Sequence, residues 1–132
     1  MDYMSAAPRP RTKFRTTDGS DELVTSYPVG VLLLENGFWG YLRENVSVSD
    51  PAIFDGPYEG GQLAPEQLGP FISAVRHWIR QYDRTEDTVY SRAPKGGASA
   101  EAMPEEITWV LRRVEAMAIS CQAEGIPLGF ST

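Results

Sequence analysis

The sequence predicts an α+β fold: an antiparallel sheet of about four or five strands from residues 12–50, packed against two C-terminal helices near 65–83 and 104–124. Two observations carry this. The N-terminal half holds short apolar runs separated by turn residues, which read as strands. The C-terminal half holds two segments whose apolar residues recur at helical spacing. At 132 residues the chain accords with one domain, of a size that buries roughly two-thirds of its unfolded surface. The organisation expected is a flexible tail over 1–12 and a single domain over 13–132.

The tail (MDYMSAAPRPRT) is small-residue-rich and interrupted by prolines. Arg9, Arg11, Lys13 and Arg15 form a short cationic cluster, which would suit nucleic acid or anionic lipid. Four charges spaced by two prolines fit better with a solvated tail, or with one folded back on the acidic segment that follows. Candidate strands come next at 13–17 and 22–27, separated by Asp18, Gly19 and Ser20.

Residues 29–42 read as a β-hairpin around Asn36 and Gly37, since both residues accept the positive φ of a type I′ turn. That register sets Leu34 opposite Trp39 and Leu32 opposite Tyr41 on one face. Val31 opposes Leu42 and Leu33 opposes Gly40 on the other. Both faces are apolar, which places the hairpin centrally or under cover on both sides. Gly40 would mark a close approach or a bulge. Val46 and Val48 extend the second strand until Asp50 and Pro51 stop it.

Residues 53–61 (IFDGPYEGG) form a loop with three glycines, two aromatics and two acids, a composition shared by recognition surfaces and by loops pinned to a core. The first helix starts near Pro65. Its stripe is Leu68, Phe71, Ile72, Val75, Ile79 and Tyr82, with the pair Gly69 and Pro70 awkward at the start. The second opens at Pro104, runs along Ile107, Val110, Leu111, Val114, Met117, Ala118 and Cys121, and ends at Gly125 and Pro127. Residues 83–103 between them read as a long loop with a short strand at 88–92.

Charge narrows the function. The net charge is −6, against general nucleic-acid binding, where a basic face is needed. Residues 18–66 hold nine acids (Asp18, Asp21, Glu22, Glu35, Glu44, Asp50, Asp55, Glu59 and Glu66) and one base, Arg43, a local net of −8. Such an excess attracts cationic partners. The contact surface expected from charge and loop composition is Glu44, Asp50, Phe54, Asp55, Tyr58 and Glu59.

Catalytic hardware is sparse. His77 falls off the apolar stripe, with no nucleophile signature beside it. Cys121 continues a core stripe, and as the only cysteine it forms no intramolecular disulfide. The acids are scattered rather than paired as in glycoside hydrolysis. Asp18, Asp21 and Glu22 lack calcium-loop spacing. Gly60 with Gly61, and Gly96 with Gly97, lack phosphate-loop spacing. No catalytic residue, metal site or cofactor is therefore expected, and neither a membrane nor a nucleic acid is an expected partner. Trp39 reads as core. Trp78 and Trp109 lie just off their helical stripes near arginines, either sealing an interface with N–H toward water or meeting a partner. Arg113, one turn from Trp109, could stack on it.

A small acidic α+β chain with the segment FDGPYEGGQLAPEQLGPFI at 54–72, preceded by an apolar run, resembles the immunity proteins of bacterial polymorphic-toxin systems. The resemblance spans about residues 22–82. It implies a cytoplasmic antidote that binds a cognate toxin domain and blocks its action. Two rivals are a non-catalytic adaptor or chaperone for a secretion effector, and a small carboxylate-based enzyme.

Overall fold

The computed structural model describes residues 12–54, 60–91 and 100–131. It is α+β, as the sequence predicts, with an antiparallel four-stranded sheet and long helices in the C-terminal half. In chain order the elements are β1 (Lys13–Thr16), β2 (Glu22–Val24), α1 (Tyr27–Glu35), α2 (Phe38–Asn45), β3 (Gly61–Leu63), α3 (Leu68–Asp83), β4 (Val89–Tyr90), β5 (Glu101–Ala102), α4 (Pro104–Glu124) and β6 (Leu128–Ser131). Short 3-10 turns occupy Pro51–Phe54 and Pro65–Gln67.

The sheet order is β2-β1-β6-β3. Phe14 lies across from Leu23 on one side and Phe130 on the other, and Leu63 lies across from Leu128. Cross-strand partners share a face, so these five residues form the buried face. Lys13, Arg15 and Glu22 stand outward and exposed, with Arg15 directly opposite Glu22. The helix α4 packs on β1 and β6, α3 lies along α4, and α2 covers α3. Arg76 pairs with Glu115, and Arg112 with Asp83 at 2.7 Å, tying α3 to α4 at their solvent edge.

The strands differ from the expected set. Strands β1 and β2 fall where the sequence places them, but residues 29–42 form two helices, not a hairpin. Ser26 caps α1 by accepting from the Val29 N–H at 3.4 Å, and Pro28 sits in the first turn. The Asn36 N–H returns to the Leu32 carbonyl at 2.9 Å, and Gly37 takes φ +98°. The positive φ of that glycine thus ends a helix, the alternative use of the same backbone freedom. Five consecutive buried residues, Val29 to Leu33, mark α1 as a helix buried nearly all round. Gly40 marks no close approach: a Cβ there would meet nothing within 4 Å. Val46 is buried after α2, and neither it nor Val48 belongs to a strand.

The missing strands come from elsewhere. Gly125, at φ +70°, ends α4, and the Ile126 N–H turns back to the Cys121 carbonyl at 3.0 Å. The chain then enters β6 between β1 and β3. Gly60 and Gly61 allow β3 to approach closely: a Cβ at Gly60 would stand 2.7 Å from the Phe130 carbonyl oxygen. In the 83–103 connection, Val89–Tyr90 pairs with Glu101–Ala102, a small second sheet where one short strand is predicted. Thr12, assigned to the tail, is buried in the fold; residues 1–11 lie outside the described residues.

The core is one contiguous cluster with an aromatic centre. Trp39 is buried, stacked on Phe14 at 6.1 Å, edge-on to Phe38 at 5.3 Å and tilted against Phe130 at 5.4 Å. Its indole N–H has no hydrogen-bond acceptor among the described residues. An unpaired buried donor costs about 1–3 kcal/mol, an expense offset here by aromatic packing on several sides.

Candidate partner-binding surface

Strand β2 alternates, with Leu23 inward and Glu22 and Val24 outward. Thr25 then locks the strand end: its Oγ1 accepts the Thr12 N–H at 3.0 Å, and its own N–H donates to the Thr12 carbonyl at 2.9 Å. Ser26 turns the chain into α1, bringing Pro28 and Val29 beside Val24. Across from them runs the first half of α4. Ile107, Val110, Leu111 and Val114 point inward, and Trp109, off that stripe, points out.

Between these elements lies a groove of about 620 Å³, lined by Val24, Thr25, Pro28, Val29, Trp109 and Val110, with Glu105 and Glu106 at its rim. Trp109 is 60% exposed and Val24 45% exposed. Two of the large exposed apolar side chains therefore border one concavity, and it is contiguous apolar exposure, not a scattered residue, that marks an interaction surface. Glu105 and Glu106 precede Trp109 by four and three residues, so they sit one turn back on its helical face. Neither is paired with a cation among the described residues.

One turn the other way, Arg113 does not stack on Trp109. It holds the Asp21 carboxylate with two contacts of 3.2 and 3.3 Å, fixing the β1–β2 turn to α4. Hydrogen bonding from Arg113 keeps the Asp21 carboxyl below its ordinary value of 3.8.

Some of the nine acids already have partners within the fold. Asp18 accepts from the Ser20 N–H and hydroxyl at 3.0 and 2.8 Å, and the Ser20 backbone hydrogen bond lowers its pKa. Asp21 is paired with Arg113, and Glu22 faces Arg15. Of the sequence-predicted contact residues, Glu44, Asp50 and Phe54 are among the described residues. Phe54 is only 2% exposed and stacks on Phe130 at 5.8 Å, so it is a core residue and not a surface contact. Burial of an aromatic that closes the end of a short 3-10 turn accounts for this correction. Asp50 is exposed, accepts from the Ala52 N–H at 3.1 Å and lines a small cleft of about 300 Å³. Glu44 is exposed near the end of α2. Asp55, Tyr58 and Glu59 lie outside the described residues.

A second concavity of about 540 Å³ runs between α3 and β4, lined by Asn36, His77, Trp78, Tyr82, Thr88 and Tyr90 among others. Here His77 lies flat on Tyr41 at 4.5 Å, and Trp78 is edge-on to both. The Trp78 N–H is buried without an acceptor among the described residues, contrary to an indole sealing an interface with its N–H toward water. The Asn36 amide donates to the Tyr90 carbonyl at 2.9 Å and ties the end of α1 to β4.

Sequence reasoning weighed Trp109 but missed its groove. The signal was present: an aromatic off the apolar stripe with two carboxylates one turn before it. What it lacked was β2 and α1 as the opposite wall.

Cys121 is buried on α4, and burial pushes its thiol pKa up. Among the described residues, no group of three or more His, Cys, Asp or Glu side chains is placed to hold a metal ion. Among them, too, no helix is long and apolar enough to cross a membrane. No protein-family model matches the chain, and neither a curated protein nor a solved structure matches it.

Proposed function

We propose that this protein is a binding inhibitor of the immunity type, acting in the cytoplasm on a cationic toxin domain through the groove at Trp109. The observation that carries the reading is the exposed indole itself, 60% open beside an apolar groove and rimmed by Glu105 and Glu106. Exposed tryptophans in desolvatable pockets are the commonest energetic centres of protein interfaces. Unpaired carboxylates around one select for basic partners and speed encounter with them. The net charge of −6 acts in the same direction at longer range.

The test is co-expression with a toxin-like reading frame encoded directly upstream. Wild-type protein restores growth, whereas Trp109→Ala, present at the same soluble level, fails to protect. Full protection by Trp109→Ala contradicts the reading. Capture of many unrelated clients by the wild type, with no protection, would replace it with the adaptor reading.

A further inference from the structure

We propose that Trp109, Glu105 and Glu106 together form a receptor for one arginine side chain of the partner. The inference rests on the groove being the partner-binding surface, and it names what enters first. Three features of the site converge. The indole of Trp109 is 60% exposed and has no ring contact among the described residues. Two carboxylates one helical turn away line the same groove and have no described cation to neutralise them. Arg113, one turn further along α4, is committed to Asp21 by two contacts and leaves the indole unstacked.

An aromatic face beside carboxylates attracts a cation through the ring quadrupole and through charge. Arginine fits better than lysine. Its planar guanidinium stacks on the indole while its fork still reaches the carboxylates, whereas an ammonium is a compact and strongly hydrated point charge. The apolar wall of Val24, Pro28, Val29 and Val110 then accepts an aliphatic neighbour of that arginine.

The experiment follows the Trp109 indole N–H by heteronuclear NMR on the full chain, assigned with Trp109→Phe. The probes are blocked pentapeptides of sequence Gly-Leu-Xaa-Leu-Gly, with Xaa arginine, lysine or citrulline. The arginine peptide should give saturable shifts. The lysine peptide should bind at least about 3-fold more weakly, and the uncharged citrulline peptide at least about 10-fold more weakly. The double variant Glu105→Gln with Glu106→Gln should weaken the arginine peptide by about 10-fold while the chain stays folded with only a small drop in its unfolding midpoint, since both are exposed first-turn acids of α4. Citrulline binding within about 2-fold of arginine, or arginine binding unmoved by the double variant, overturns the proposal, because either outcome removes charge from the recognition. Absence of any shift with the arginine peptide overturns it as well. The inhibitor reading is judged separately: if Trp109→Ala abolishes protection while citrulline and arginine peptides bind alike, the groove binds the toxin without an arginine receptor. If the arginine peptide binds as expected but Trp109→Ala still protects, the receptor stands and the inhibitor reading falls.

Discussion

Trp78 and Trp109 occupy equivalent places in the sequence. Each lies just off the apolar stripe of a long C-terminal helix with arginines nearby. Their fates in the fold are opposite. Trp78 is half-buried against Phe38, Tyr41, His77 and Tyr82, with its N–H shut away from water. Trp109 is 60% exposed. The difference comes from what packs over each helix. The helix α2 lies across α3 and delivers Phe38 and Tyr41 onto Trp78, whereas among the described residues Trp109 borders a groove walled by β2 and the start of α1. An off-stripe tryptophan is thus neutral as a signal until the covering element is known.

Three changes break or sharpen this contrast. The largest effect falls on the half-buried indole, which packs on four rings. Trp78→Ala should lower stability by about 3 kcal/mol through lost packing and a residual cavity, while Trp109→Ala should stay within about 0.5 kcal/mol of wild type. Denaturant midpoints for the two variants decide it; equal losses would mean that the groove is filled in solution.

A smaller effect is expected at Asp21, whose ion pair with Arg113 joins the strand wall of the groove to α4. The folded-state pKa is depressed, so the pair stabilises the fold above the unfolded carboxylate value of about 3.9 and loses that contribution as pH falls through the lower folded value. Asp21→Asn should cost less than about 1 kcal/mol at neutral pH, because the pair is partly exposed and screened. It should also flatten the acid limb of the stability profile. A variant whose acid limb matches the wild type would show that the pair contributes nothing.

The smallest signal is a non-event. Cys121 should resist thiol labelling without denaturant, because the side chain is buried and its pKa raised. Rapid stoichiometric modification would mean that α4 opens readily at its C-terminal end, away from the groove.

The two long helices were legible because α3 and α4 keep an apolar stripe at a 3.6-residue period over four or more turns. Residues 29–42 were not. A continuous apolar run has no period, and Asn36 with Gly37 permits either a tight hairpin turn or a helix end. Ser26 followed by Pro28 is the local signal for a helix start, and it is short beside the apolar run and the Asn-Gly pair that favour a hairpin. Strand β6 is four residues long and carries Gly129 at its centre, so only its pairing with β1 and β3 makes it a strand. The groove was legible only in its α4 half. The acidic excess over 18–66 points to a cationic partner, and two of its acids, Asp18 and Asp21, are engaged within the fold.

The most direct test of the central claim is the binding kinetics of Trp109→Ala against the partner captured by the wild-type protein. Wild type and variant should associate at similar rates, since the charged rim that steers encounter is intact. The variant should dissociate at least about 30-fold faster, a loss of about 2 kcal/mol or more at one central aromatic. A variant that dissociates as slowly as the wild type would contradict the account and move the interface away from the groove.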